Sequence, residues 1–328
     1  MTERKVKDAG IEALRSGDRR VLARAITLVE STKVADRAKA EQLLLAALPH
    51  TGKTIRLGIS GAPGAGKSTF IEAFGTFLTA QGHRVAVLAV DPSSRRSGGS
   101  ILGDKTRMEK LSRDPHAFIR PSPAGTTLGG VARRTREALL LVEAAGFDVV
   151  IVETVGVGQS ETAVSEMVDV FALLMSPGGG DDLQGIKRGV MELADLVLVT
   201  KADGDLLSAA NRAAADYHAA LHLMRPKYPS LAAQVLKVSS LHNEGIVEAW
   251  DAMRLLHKAI EKGGHLKKLR EEQTRRWFWN EVQSVLADEI SHNETLEKAA
   301  RKLEALVIAG KSLPYPAARE LFRHIFAA

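Results

Sequence analysis

Residues 61–69 read Gly-Ala-Pro-Gly-Ala-Gly-Lys-Ser-Thr and satisfy the pattern GxxxxGK[ST]. Each residue type in it suits contact with a polyphosphate. Gly64 and Gly66, set among Ala62, Pro63 and Ala65, let backbone N–H groups turn inward, and a helix starting after them adds the positive end of its dipole. Lys67 brings a point charge to the outer phosphates, the Ser68 hydroxyl is suited to ligate Mg²⁺, and Thr69 completes the pattern. A magnesium-linked phosphate site also needs a carboxylate near the metal. Asp91 and Glu153 each end an apolar run, beginning at Val85 and Val149, and the carboxyl edge of an open parallel sheet is where ligands sit. Lys67, Asp91 and Glu153 are therefore the candidate catalytic side chains.

Such residues need a rigid sheet beneath them. Short β-rich runs at 55–60, 85–90, 149–153, 170–175, 196–200 and 235–239, with a shorter one at 118–120, alternate with helical segments. Near-continuous hydrophobicity in runs of this length predicts strands buried on both faces, and so an α/β fold with a doubly wound, mostly parallel sheet of the P-loop NTPase kind. Helical extensions flank this core, which is expected over 51–255. The N-terminal one, 1–50, has Leu14, Leu22, Ile26 and Val29 at helical spacing and a break at Ser16-Gly17-Asp18. Leu43, Leu44, Leu45 and Leu48 close its last helix and are expected to pack as core. The C-terminal arm, 256–328, carries Trp277, Phe278 and Trp279 on more than one helix face. An aromatic cluster ordinarily builds core, but on a terminal arm it also suits a subunit interface, and a homodimer is expected.

The 328 residues are 45% hydrophobic and 26% charged, with 45 Lys and Arg against 39 Asp and Glu and no cysteine. Without cysteine there is no disulfide framework, thiolate zinc site, Cys nucleophile or CxxC redox pair. The net charge of +6 is small for this length and its basic residues are interleaved with acids, so no nucleic-acid partner is expected. No apolar run approaches the roughly 18 to 20 residues needed to span a bilayer, and the first residues lack a hydrophobic signal core. A cytoplasmic protein without a membrane partner is expected.

Two further loops speak to the nucleotide. Glu153 opens Glu-Thr-Val-Gly-Val-Gly-Gln-Ser, which resembles the DxxG motif of GTPases with Glu for Asp. Gly156 can donate its N–H to a γ-phosphate and so sense hydrolysis. Val157 stands where many regulatory GTPases place a water-orienting Gln, which predicts slow intrinsic hydrolysis accelerated by a partner; Gln159 is a possible substitute. The run 196–200 leads into Thr200-Lys201-Ala202-Asp203, similar to the NKxD motif with Thr for Asn. The Asp203 carboxylate can accept both the N1–H and the N2–H₂ of guanine, a donor pair that adenine lacks, while the Lys201 stem covers the base plane. Ser239, Ser240 and Leu241 match the loop whose backbone meets the guanine oxygen. GTP and GDP are therefore expected over adenine nucleotides.

The ordered set GAPGAGKST, DPSS (91–94), SGGSILGDKTRM (97–108), FIRPSPAGTTLGG (118–130), ETVGVGQSE (153–161) and TKAD (200–203) resembles one family along nearly the whole chain. It is the methylmalonyl-CoA mutase-associated GTPases of the MeaB/ArgK type, within the signal-recognition/MinD-like P-loop class. The resemblance implies a homodimeric GTPase chaperone of adenosylcobalamin-dependent methylmalonyl-CoA mutase that gates cofactor delivery and protects and reactivates the mutase. It implies Ser68, Asp91, Asp104 and Glu153 as Mg²⁺ or metal-water contacts and places Arg107 in the first switch region. The segment 176–189 looks like the family's additional switch, where Asp181, Asp182, Lys187 and Arg188 offer charges that re-pair between states.

Three rival readings are weaker. A nickel-inserting metallochaperone GTPase would bring Cys or His clusters, whereas the ten histidines here are scattered. His218 and His222 are spaced i,i+4, but ordinary histidines are the expectation there. A small-molecule kinase or transport ATPase would need an adenine site, against which TKAD argues. A membrane-targeting GTPase would normally bring a methionine-rich domain, and seven methionines are dispersed along this chain.

Overall fold

Seven strands form where the apolar runs predict them: β1 Ile55–Gly61, β2 Val85–Val90, β3 Ala117–Arg120, β4 Val149–Thr154, β5 Val170–Met175, β6 Leu196–Val199 and β7 Gln234–Lys237. The computed structural model describes residues 10–90, 108–121, 128–154, 160–177, 188–228 and 231–327. The strands pair in the order β3-β2-β4-β1-β5-β6-β7, and all six ladders are parallel.

Side chains alternate across a strand, so a strand apolar at every position must be covered on both sides. Val149 and Ile151 of β4 join Leu57, Ile59, Val87 and Leu174 in one cluster, under Phe70, Phe74 and Leu78 of the helix Lys67–Ala80 and Trp250 and Met253 of the helix Ile246–Lys262. Val150 and Val152 join Leu88, Phe171 and Leu173 in the other. There the cover is Leu139 and Val142 of Leu128–Ala144, Tyr217 of Leu207–His222, and the N-terminal helices. Phe70 and Phe74 are fully buried and stack at 5.2 Å, each contributing about 1.5–3 kcal/mol relative to exposure.

Leu14, Leu22, Ile26 and Val29 are buried as their spacing predicts. The Ser16-Gly17-Asp18 break is a helix cap: Asp18 Oδ1 accepts from the backbone N–H of Arg20 at 2.6 Å and Val21 at 3.2 Å, opening the helix Arg19–Glu30. Those two bonds hold the Asp18 carboxyl below its ordinary pKa. The leucine cluster needs correction, because Leu45 is 60% and Leu48 47% exposed. Leu43 and Leu44 do pack against the core, but at 100° per residue a third consecutive leucine must turn away.

Gly61 ends β1 at φ +152°, where an added Cβ would stand 2.3 Å from the backbone oxygen of Leu174 on β5. Backbone cannot yield there as a flexible side chain could. Gly61→Ala is therefore expected to lower stability by about 2 kcal/mol or more, read as a shifted denaturant midpoint; an unchanged midpoint would refute the crowding.

The amino-terminal edge of the sheet is tied by ion pairs. Fully buried Asp169, just before β5, accepts from the backbone N–H of Arg56 on β1 at 2.9 Å and from Arg270 Nε and Nη2 at 2.9 and 2.7 Å. Arg270 also donates to the Gly52 and Thr54 carbonyls, while Arg56 Nε donates to Glu143 Oε1 at 2.6 Å.

The chain divides into two units, Met1–Gln273 and Thr274–Ala328. In the second, Trp277 Nε1 donates to Glu281 at 2.9 Å, and Asn293 caps the helix Glu294–Ile308. Phe278 and Trp279 are 59% and 58% exposed, so the ordinary expectation of core burial does not hold for them. Among the described residues, no helix is long and apolar enough to cross a membrane.

Candidate functional site

The phosphate loop joins β1 to the helix Lys67–Ala80. Gly64 and Gly66 sit in the left-handed region, at φ +82° and +85°, and Gly66 is the residue at which the helix begins. An alanine there would be strained for conformational reasons, since no atom stands within 3.4 Å of an added Cβ at either position. The Ala65 N–H closes a turn onto the Ala62 carbonyl at 3.1 Å, leaving Pro63 exposed at its tip.

Lys67 is only 8% exposed. Its Nζ donates to the Gly61 and Ala62 carbonyls at 2.7 and 3.1 Å, which satisfies the buried ammonium with the loop's own backbone. Burial pushes its pKa down, and the carboxylates of Glu153 and Glu161 oppose that shift.

Parallel register brings Glu153 to the loop. It lies on β4 beside Ile59 of β1 and Ala89 of β2, at the carboxyl edge, and is 4% exposed. The Ser68 hydroxyl stands 3.4 Å from Glu153 Oε1. One position on, Thr154 Oγ1 and Ser60 Oγ share a hydrogen bond of 2.7 Å that pins β4 to β1 beneath the loop. A hydroxyl and a carboxylate side by side are hard oxygen donors of the kind that Mg²⁺ takes, so the residues present fit that ion. Among the described residues, no group of three or more His, Cys, Asp or Glu is placed to hold a metal, and His218 and His222 are exposed on their helix.

The loops at 200–203 and 239–241 also converge. Thr200, at the end of β6, donates from Oγ1 to the Ala65 carbonyl at 2.7 Å, linking TKAD directly to the phosphate loop. Lys201 is exposed in the left-handed region at φ +52°. The Ala202 N–H bonds the Val238 carbonyl at 3.1 Å, and the Ser239 hydroxyl donates to Asp203 Oδ2. Ser239 is itself fixed by a reciprocal backbone pair with Glu244. Ser240 is half-buried and Leu241 is 75% exposed. Thus Lys67, Ser68 and Glu153 form one group, and Asp203 and Ser239 another, joined through Thr200 and Ala65. Asp91, Asp104, Arg107, Gly156, Gln159, Asp181, Asp182 and Lys187 lie outside the described residues.

A family model described as methylmalonyl-CoA mutase-associated GTPase MeaB matches residues 22–295. The chain belongs to the MeaB family. The mitochondrial methylmalonic aciduria type A homolog of Mus musculus is 48% identical over 331 residues, covering 98% of this chain and 80% of the mouse protein. GTPase ArgK of Escherichia coli K12 is 48% identical over 315 residues, covering 96% and 95%. A crystal structure described as LAO/AO transport system kinase superposes with TM-score 0.79 at 40% identity, over 99% of each chain. This MeaB chain is accordingly a P-loop GTPase, and GTP and GDP are its nucleotides.

Sequence reasoning assigned no role to two MeaB residues that the fold brings to this site. Glu161 is 1% exposed in the first turn of the helix Ser160–Ser165 and acts electrostatically on Lys67. Its only sequence signal is that it closes the ETVGVGQSE segment. Thr200 was legible as a departure from NKxD, but its bond to Ala65 spans 135 positions and has no local signature.

Proposed function

We propose that this MeaB-family GTPase is a chaperone of an adenosylcobalamin-dependent acyl-CoA mutase, namely methylmalonyl-CoA mutase. Mg²⁺-dependent GTP hydrolysis gates cofactor loading and protects and reactivates the mutase. The observation that supports the nucleotide half best is the Asp203 carboxylate, oriented by Ser239 and connected through Thr200 to the phosphate loop. An oriented carboxylate accepts N1–H and N2–H₂ of guanine together and finds no such pair on adenine. The family's description supports the partner half.

In this reading Lys67 offsets charge on the outer phosphates, Ala62 to Thr69 cradle them, and the backbone of Ser240 and Leu241 meets the guanine oxygen. Ser68 and Glu153, with Asp91 and Asp104, would hold Mg²⁺, which supplies positive charge to the phosphate oxygens when bound. Arg107, Gly156 and Gln159 respond to the γ-phosphate, and Asp181, Asp182 and Lys187 relay that state to the mutase. Residues 1–50, 51–255 and 256–328 serve as helical extension, GTPase core and dimerising arm, the last through exposed residues such as Phe278 and Trp279. The protein works in the cytoplasm, with neither nucleic acid nor membrane as partner.

Val157 cannot orient an attacking water, so hydrolysis is slow until the mutase completes the site. Adding purified methylmalonyl-CoA mutase is expected to raise the GTPase rate by about tenfold or more, within the range that supplied transition-state contacts achieve. Lys187→Ala is expected to retain basal turnover and lose that stimulation. Equal stimulation of variant and wild type would sink the relay, and fast single-turnover hydrolysis by the isolated protein would sink the partner-completed site.

A further inference from the structure

Besides N3, which lies next to the sugar, guanine presents four features at its edge: the donors N1–H and N2–H₂, and the acceptors O6 and N7. The reading above, on which this inference rests, assigns the donors to Asp203 and O6 to the backbone of Ser240 and Leu241. It leaves N7, which only a hydrogen-bond donor can read. Thr200, three positions before Asp203 at the end of β6, is the side chain of the motif that lies between base loop and phosphate loop.

A threonine hydroxyl has a single proton. Thr200 Oγ1 stands 2.7 Å from the Ala65 carbonyl and 3.1 Å from the Met175 carbonyl, so that proton is committed to the main chain. The residue is 2% exposed, and its Cβ and Oγ1 lie 4.0 and 3.9 Å from where a Gly66 Cβ would be, which puts the side chain beneath the phosphate loop. Its own backbone N–H is bonded to Met175 O at 2.8 Å. Turning the hydroxyl toward a base would strand the Ala65 carbonyl; leaving it in place presents no proton outward. An asparagine has two amide protons and could serve a loop carbonyl and N7 together.

We infer that this enzyme recognises guanine without reading N7: Thr200 is a positioning residue that fixes the phosphate loop, and base specificity rests on Asp203 and the O6 contact. The substrate class it accepts then extends to guanine nucleotides in which N7 is no longer an acceptor, such as 7-deazaguanosine di- and triphosphates.

Titration calorimetry on the full chain with GDP, 7-deaza-GDP and ADP tests this. A neutral hydrogen bond contributes about 0.5–1.5 kcal/mol, roughly a 2- to 13-fold change in affinity. Wild type is expected to bind 7-deaza-GDP within about twofold of GDP, below what loss of one such bond would cause, while ADP binds far more weakly. Thr200→Asn is expected to acquire a preference for GDP over 7-deaza-GDP of about fivefold, as one gained bond would give. The wild-type comparison decides the matter even if that variant folds poorly. A loss of more than about twofold with 7-deaza-GDP on wild type, with ADP still excluded, would overturn the N7 inference alone, since one neutral hydrogen bond is worth that much. Equal binding of ADP and GDP would overturn the guanine reading and this inference with it.

Discussion

Lys67→Ala is expected to reduce GTP hydrolysis by at least about 100- to 1000-fold, the cost of removing one preorganised charge from a transition state. The side chain is buried, so its charge acts where water screens it poorly. Without nucleotide the ammonium is solvated by the Gly61 and Ala62 carbonyls, and phosphate oxygens then compete for a donor already aimed at the loop. Glu153 and Glu161 help keep it protonated against the pull of burial. Alanine removes the charge without filling space and leaves Thr200 bonded to Ala65, so the loop should remain folded. Single-turnover GTPase rates on a variant whose thermal melt matches wild type give the check. A folded variant retaining more than about a tenth of wild-type turnover would remove Lys67 from the mechanism, since that loss is below the range for such a group.

The second large effect lies at the other edge of the sheet and concerns stability. Asp169→Asn is expected to cost about 3–5 kcal/mol, because Arg270 then remains partly buried opposite a neutral group. The pH dependence follows from the carboxyl itself. Burial alone would raise its pKa, but the His257 imidazole 3.5 Å away, the hydrogen bonds from Arg270 and the charges of Arg270 and Arg56 outweigh it, holding the value at about 2 against an ordinary 3.8. A depressed folded pKa stabilises above the unfolded value, and the contribution disappears as pH falls from about 4 through about 2. At about 1.4 kcal/mol per pK unit, it is on the order of 2 kcal/mol. Denaturant melts of wild type and Asp169→Asn should therefore differ most above about pH 5 and converge by roughly 2 kcal/mol toward pH 2. A gap independent of pH would mean that the Asp169 carboxyl titrates alike in the folded and unfolded protein.

Much of the fold was legible because its signals are local. A parallel strand buried on both faces must be apolar at every position, and Val85–Val90 and Val170–Met175 show that within six residues each. The phosphate loop was legible for the same reason, since its glycines, lysine and serine are consecutive. Leu45 and Leu48 misled because a run of leucines gives hydrophobicity without saying which of them turns outward. The exposure of Phe278 and Trp279 was not legible, because aromatic content does not state whether a face has something to cover it.

The strand set, the phosphate loop of a P-loop GTPase, the acidic strand end at Glu153 and the TKAD carboxylate Asp203 were all legible from residues alone. Each is written in fewer than ten adjacent residues, where backbone propensity and side-chain chemistry act together. Only the tertiary structure decided how these pieces meet: that Glu153 stands beside Ser68, that Ser239 orients Asp203, that Thr200 gives its proton to Ala65, and that Asp169 and Arg270 lock the far edge. These contacts join residues 36 to 135 positions apart. Strand order and register create them, and those follow from the packing of the whole sheet rather than from any local run.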